Sequence, residues 1–229
     1  MKKALRIFGL IAVVGILIAA ITTSMSKGSN AEKVWDKEMT MGNLDASNYY
    51  IIYSDLACPY CVAFENAIIE NHEKFEKYIE ANDILVEIRL SDFLYEYGES
   101  ASPESLYGAE AVYCARDEGK FWDYYDAAIT KVWNEYFGVS GKSAYSEFSK
   151  LGKDYWIEIG KSVGLGDDFE NCVMNGDDLE EIQKNAEKSS KLIRGMPYFK
   201  FNKYTSSGFD LSWGWEYVLM YLNAGLENK

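Results

Sequence analysis

Tyr49-Tyr50-Ile51-Ile52-Tyr53-Ser54-Asp55-Leu56-Ala57-Cys58-Pro59-Tyr60-Cys61-Val62-Ala63-Phe64 changes its periodicity in the middle. The run 49–53 is aromatic and β-branched throughout, which predicts a buried strand. Pro59 then stands where a helix favours proline, at its first position. Val62, Phe64, Ile68 and Ile69 recur at helical spacing, with Glu65, Asn66 and Glu70 on the other face. The segment therefore predicts strand, short loop and helix, with Cys58-Pro59-Tyr60-Cys61 at the helix start.

Two thiols one helical turn apart can close on each other, and the first lies where unpaired N–H groups and the helix dipole favour a negative sulfur. Such settings lower a thiol pKa from about 8.5 to between about 3.5 and 7. A drop of about 4 units corresponds to about 5.4 kcal/mol. The dipole supplies at most about 2 kcal/mol. Most of the remainder must come from hydrogen bonds to the sulfur, from the amides of Tyr60 and Cys61 and from the Cys61 thiol. Two other uses of such a pair are half a zinc site and an inert structural disulfide. Zinc would want a second Cys pair or several histidines, but the chain has four Cys and one His, His72. His72 is placed further along the same helix. Copper(I) would suit two thiolates at a helix start, yet no Met-rich or His-rich tract accompanies them. No metal and no cofactor are called for.

Working outward, Ile84 to Leu90 predicts a second strand. Helices follow: Ser102-Pro103-Glu104 is a cap with proline at the first helical position, and helical spacing continues over about 118–136, 143–163, 167–175 and 177–192. Strand character returns at Tyr198 to Phe201, directly after Gly195-Met196-Pro197. Thr205 to Gly208 predicts a turn, Phe209 to Leu211 a short return strand, and Trp213 to about Asn223 a last helix. Trp122, Trp133 and Trp156 are assigned to the core.

The ends of the chain set its address. Lys2, Lys3 and Arg6 precede an uncharged run from Ile7 to Met25, roughly 28 Å long as a helix against a hydrocarbon core of about 30 Å. Basic residues before the run place the N-terminus in the cytoplasm and the rest outside. A cleaved signal peptide is the alternative, with Thr22-Thr23-Ser24 a poor cleavage site. Residues 1–30 are thus predicted to be anchor and tether, and 31–229 the folded domain. The formal charge is −13 overall, and −17 without the basic first 30 residues, which argues against nucleic acid as a partner. In an exported domain an even number of cysteines suggests disulfides. Cys114 and Cys172 are expected to pair, the other possibility being two buried free thiols.

Three sets of residues carry a resemblance. Asp55-Leu56-Ala57-Cys58-Pro59-Tyr60-Cys61 after a strand resembles the DsbA-like branch of the thioredoxin superfamily. So does Gly195-Met196-Pro197-Tyr198-Phe199 before a hairpin. Ala111-Val112-Tyr113-Cys114-Ala115 with Gly119-Lys120-Phe121-Trp122 is similar to a helical stretch of exported bacterial members. The resemblance spans about Met41 to Leu222. It implies a thioredoxin-like α/β fold with a helical insertion over about 100–192, here preceded by a transmembrane helix. It also implies an exposed nucleophile at Cys58, a resolving thiol at Cys61, and a cis-proline at Pro197 that leaves the Met196 backbone free to pair with a substrate peptide. Pro59, Tyr60, Met196 and Tyr198 would tune or line the site, with Tyr60, Met196 and Tyr198 forming an apolar rim. Three departures stand out. Tyr60 replaces the His of many oxidising members, Met196 replaces a more usual Thr or Val, and Ile52 stands six residues before Cys58, where many thioredoxin-like enzymes bury an acid.

The expectation is an extracytoplasmic, monomeric oxidase that donates the Cys58–Cys61 disulfide to reduced exported polypeptides. A membrane quinone-linked partner would reoxidise it. Reductase and isomerase are alternatives within the class, and a non-catalytic peptide- or metal-binding module is one outside it.

Overall fold

A computed structural model describes residues 35–92, 102–138, 143–209 and 214–228. The chain divides into Met1–Trp35 and Asp36–Lys229, and the fold concerns the second unit. The anchor and tether expected over 1–30 lie outside the described residues. Among the described residues no helix is long and apolar enough to cross a membrane.

A short edge strand β1 (Thr40–Met41) leads into β2 (Asn48–Ser54), followed by helices α1 (Pro59–Ile69) and α2 (His72–Ala81) and strand β3 (Ile84–Leu90). Six helices come next: α3 (Pro103–Asp117), α4 (Phe121–Val132) running into a π-helical turn at Trp133–Phe137, α5 (Ser143–Phe148), α6 (Lys153–Ser162), α7 (Asp167–Asn175) and α8 (Leu179–Ser190). The hairpin β4 (Tyr198–Phe201) and β5 (Tyr204–Ser207) and helix α9 (Gly214–Glu227) complete the order. The sheet runs β1-β3-β2-β4-β5. Strands β2 and β3 are parallel and pair residue for residue from Asn48 opposite Ile84 to Ser54 opposite Leu90. The remaining pairs are antiparallel.

The central strands are largely buried on both faces: β2 is an apolar and aromatic run over Tyr49–Tyr53, whereas β3 carries Glu87 and Arg89, which pair with each other (2.6 Å). Phe64 of α1 packs on Phe199 and Tyr221, which joins the Cys-bearing helix through β4 to α9. Gly225 of α9 is obligatory in that layer, since a Cβ there would lie 2.1 Å from the Phe201 ring. Trp156 is fully buried, and Trp122 and Trp133 pack against the core.

Four expectations about local structure are corrected. The hairpin turn lies at Asn202-Lys203, not at 205–208, and the return strand is Tyr204–Ser207. Asn202 adopts the left-handed conformation (φ 52°), and its side chain accepts from the Tyr49 N–H (3.0 Å) and donates to Asn48 Oδ1 (3.1 Å). Asparagine is suited to that role, whereas the Ser/Thr cluster serves as an edge strand. Secondly, His72 does not continue the Cys helix. Asn71 breaks it, its side-chain amide donating to the Ala67 carbonyl (3.0 Å), and His72 begins α2. Thirdly, the helical stretch 143–163 is two helices, divided at Gly152, whose φ is 71°. Fourthly, α1 has no solvated face over its first seven residues: Glu65 and Asn66 are as buried as the apolar side chains beside them.

Candidate active site

Strand β2 ends at Ser54, and a four-residue loop returns the chain into α1. Asp55 builds that loop. It is fully buried, and its two carboxylate oxygens accept from the Ala57 N–H (2.8 Å) and the Ser105 hydroxyl of α3 (2.7 Å). The Cys58 N–H donates to the Asp55 carbonyl (2.9 Å). One acidic side chain therefore shapes the approach to Cys58 and ties it to the inserted helices. Asp55 was legible only as part of a motif; its pattern, an Asp two residues before a tight turn's amide, is an Asx turn.

Cys58 is the N-cap of α1, Pro59 occupies the first helical position, and no side chain caps the helix. The first-turn amides are thus left without a side-chain cap, and Cys58 is the residue at the cap position. Cys58 and Cys61 are unbridged thiols. Cys58 lies deeper than the exposed nucleophile expected, at 5% exposure, and Tyr60 takes the open position at 49%. Cys61 is fully buried. Burial pushes its thiol pKa up, and the hydrogen bond with Cys58, the charge of Cys58, and the charges of Asp55 and Glu65 push the same way. It is therefore a protonated thiol at neutral pH, held one turn inside the helix.

The pairing of Tyr53 with Tyr198 brings the start of β4 to the end of β2, so Met196-Pro197 and the Cys loop share one edge of the sheet. The Met196–Pro197 peptide is cis. The Gly208 N–H donates to the Pro197 carbonyl (2.8 Å), whereas the Met196 backbone has no hydrogen-bond partner among the described residues. Met196 is buried, and Tyr198 leans its ring edge-on against Tyr53 (5.7 Å). Of the three rim residues, then, only Tyr60 is open to solvent, with Tyr198 half-buried.

Cys114 and Cys172 form a disulfide that joins α3 to α7. Glu110 and Asp178 place carboxylate oxygens 3.7 Å from Cys114 Sγ and 3.6 Å from Cys172 Sγ. These four residues group ligand-type atoms, but sulfurs bonded to each other are not thiolate ligands. The residue most completely missed in the sequence is Glu65, one turn beyond Cys61 and 3% exposed. Desolvation raises its carboxyl to about 7, against the opposing effect of hydrogen bonding from Tyr125 and the nearby Ser54 hydroxyl. The Tyr125 hydroxyl donates to its Oε2. Ser54 Oγ lies near enough to favour the charged form yet makes no full hydrogen bond, and Glu65 Oε1 has no partner among the described residues.

A strand-loop-helix carrying two cysteines at a helix start, beside a cis-proline hairpin and interrupted by a helical block, defines a thioredoxin-fold protein. The family described as Thioredoxin matches residues 35–205, and the chain belongs to it. Among solved structures, the thiol-disulfide oxidoreductase MdbA of Corynebacterium diphtheriae is similar over 75% of this chain and 85% of its own, at TM-score 0.57 and 19% identity. BdbD of Bacillus subtilis in its oxidised form is similar over 82% and 92%, at TM-score 0.56 and 16% identity. The thiol-disulfide exchange protein alpha-DsbA2 of Wolbachia pipientis is similar over 85% and 90%, at TM-score 0.55 and 18% identity. Identities this low speak for the fold. No curated protein matches the sequence.

Proposed function

We propose that the chain is a DsbA-like thiol–disulfide oxidoreductase whose Cys58–Cys61 disulfide oxidises reduced exported polypeptides. The observation that carries this reading is the pair itself: Cys58 caps a helix whose first-turn amides no side chain satisfies, and Cys61 waits one turn below as a buried, protonated thiol. A substrate thiolate attacks Cys58 Sγ, the Sγ58–Sγ61 bond breaks, and a Cys58 mixed disulfide forms. The second substrate thiolate then displaces Cys58, leaving the substrate oxidised and the pair reduced. Tyr60 offers an open apolar surface for an unfolded chain, and the Met196 backbone, without a hydrogen-bond partner among the described residues, offers strand-like hydrogen bonds. Asp55, Ser105 and the bound loop hold Cys58 in register while this happens.

The setting we propose is outside the cytoplasm, at the membrane. Support comes from the basic N-terminus before an apolar run and from the Cys114–Cys172 disulfide, since such bonds persist in oxidising compartments. A quinone-linked membrane partner would reoxidise the pair, and the domain would act as a monomer. The oxidising compartment proposed for the domain favours donation of the disulfide. Tyr60 brings no positive charge, so the oxidising power should fall below that of relatives with His at this position; about 1.4 kcal/mol less stabilisation of the reduced pair shifts the potential by about 30 mV.

Two measurements test the reading. Cys61→Ser should accumulate mixed disulfides through Cys58 when incubated with a reduced unfolded protein. Adducts formed instead on Cys61 after removal of Cys58, and not the reverse, would exchange the two roles. The equilibrium potential of the pair against glutathione should lie well above that of thioredoxin. A value near about −270 mV would replace the oxidase by a reductase, and efficient unscrambling of wrong disulfides without added oxidant would replace it by an isomerase.

A further inference from the structure

Resting on the reading of Cys58 and Cys61 as a pair that oxidises polypeptides, we infer that the basic strip leading into Met196-Pro197 selects extended client segments with acidic side chains near the reacting cysteine. The first observation is the distribution of charge. Between Glu187 and Asp210 the chain carries five basic side chains, Lys188, Lys191, Arg194, Lys200 and Lys203, and no acid. The rest of residues 31–229 carries 14 basic and 36 acidic side chains. An acidic segment is therefore repelled by the domain as a whole and meets an unbroken run of positive charge along this stretch.

The second observation is where these charges stand. Ile182, Ala186 and Ser189 form the buried stripe of α8. Lys184, Lys188 and Lys191 repeat that spacing two residues on, about 200° around the helix, and all three are exposed. Cations elsewhere are committed: Arg116 pairs with Asp36, Asp117, Asp178 and Glu181, and Lys161 with Glu170. Among the described residues Lys184, Lys188, Lys191 and Arg194 pair with no acid, even though Glu187 is exposed beside them. Lys188 and Lys191 also suit the negative end of α8, but that role does not require the chain that follows to be free of acids.

The third observation is Arg194. Its Nη1 donates to the carbonyls of Ser190 (3.0 Å) and Ile193 (3.3 Å), which pins the guanidinium at the end of α8. The Nε and Nη2 groups donate to nothing among the described residues, and that edge matches a carboxylate. Arg194 lies three residues before Pro197, at most about 11 Å of chain. A Cβ added at Gly195, between Arg194 and Met196, would meet nothing within 4 Å, so the strip is open to a second chain. A client strand added at Met196 advances about 3.3 Å per residue. Side chains a few residues from its cysteine thus come level with Arg194.

The test uses the oxidised full chain and two reduced two-cysteine peptides, one with Glu and one with Gln on either side of the cysteines. Each rate of reduction of the Cys58–Cys61 disulfide is divided by that peptide's rate with a small uncharged disulfide, which cancels intrinsic thiol reactivity. At about 0.1 M salt, where a screening length of about 10 Å mutes distant acids, the Glu peptide should react about tenfold faster than the Gln peptide. At about 1 M salt the margin should largely vanish. Neutralising Lys188, Lys191 and Arg194 together to Gln should bring the Glu-to-Gln ratio to about one, and Arg194→Gln alone should lower it about threefold. Neutralising Lys74, Lys77 and Lys161 instead should leave it. A ratio is insensitive to a general loss of activity or stability, and an unmoved ratio in both strip variants overturns the assignment. A preference present in phosphatidylcholine vesicles and abolished by added phosphatidylglycerol would place the strip on anionic lipid and overturn it too. So would a preference that disappears as the protein is concentrated, which would put a second copy's acidic surface there. A disulfide that neither peptide reduces refutes the thiol-exchange reading itself, and the selectivity falls with it.

Discussion

Replacing Cys114 and Cys172 together by Ala isolates what the disulfide of the helical block does for stability. The bond closes a loop with a sequence separation of 58 residues between α3 and α7. In the chain-entropy account a 15-residue loop is worth about 3 kcal/mol and a 100-residue loop about 4.7 kcal/mol, which puts this one at about 4 kcal/mol. Cys114 is fully buried, so truncating its sulfur adds a packing loss of about 1 kcal/mol. The sum, about 5 kcal/mol, is a third or more of the 5–15 kcal/mol that typically separates a folded domain from its unfolded chain. Urea unfolding should be compared in a background carrying Cys58→Ser and Cys61→Ser, so that the redox state of the site contributes equally. The expected result is a lower midpoint together with a steeper dependence on urea, because the denatured chain expands once the loop is opened. Reduction of the parent should reproduce most of the loss. A loss under about 1 kcal/mol would refute the reasoning, since the loop would then be restrained in the denatured state without the bond.

Glu65 links stability to pH. Its folded-state pKa of about 7 lies above the ordinary 4.5, so the folded protein binds the extra proton, and this stabilisation is complete below about pH 4.5 and is lost as pH rises through about 7. Roughly 3 kcal/mol is at stake; Glu65→Gln should flatten the slope between unfolding curves taken across that window, and an unchanged slope would assign it to Glu110, whose carboxyl is raised to about 7 for the same first cause, burial. Glu104 accepts from the Gly152 N–H (2.8 Å) and the Trp156 Nε1–H (2.8 Å) inside the helical block. Glu104→Ala strands both donors and should cost about 2–4 kcal/mol in thermal or urea unfolding, whereas an unaffected midpoint would mean that water replaces the carboxylate. Gly225→Ala sets a methyl 2.1 Å from the Phe201 ring and should cost about 2 kcal/mol or more; a neutral result would mean that α9 can slide along β4.

The parts of the fold that sequence reveals are those whose pattern has one physical cause. Tyr49 to Tyr53 is legible because a strand covered on both faces is an apolar run, and Ile84 to Leu90 because its five apolar residues outweigh Glu87 and Arg89, which pair with each other; both proved to be inner strands. Cys58 and Pro59 are legible because proline is favoured at the first helical position and helical spacing at Val62, Phe64, Ile68 and Ile69 follows it. Where two causes produce the same residue types, the pattern misleads. Thr205-Ser206-Ser207 serves equally as a turn or as a polar edge strand, and only the side-chain bonds of Asn202 to Tyr49 and Asn48 decide between them. The break before His72 has no Gly or Pro to mark it.

Acidic residues are the hardest case, because a carboxyl on a helix face is read as solvated until a third element covers it. Asp55, Glu65, Glu104 and Glu110 are all buried, and each is covered by residues far away in sequence: Ser105 for Asp55, Tyr125 for Glu65, Trp156 for Glu104, and the Asp178 amide for Glu110. Every one of these contacts involves the helical insertion. That block therefore does more than enlarge the domain. Through Ser105 it fixes the loop that presents Cys58, and through Tyr125 it holds Glu65, one turn beyond Cys61. The α3–α7 disulfide holds the block closed. Cys58 and Cys61 lie on the thioredoxin-like core, as do the groups whose charges act on Cys61, namely Cys58, Asp55 and Glu65, and the insertion bears on them through the Ser105 and Tyr125 hydroxyls that hold Asp55 and Glu65.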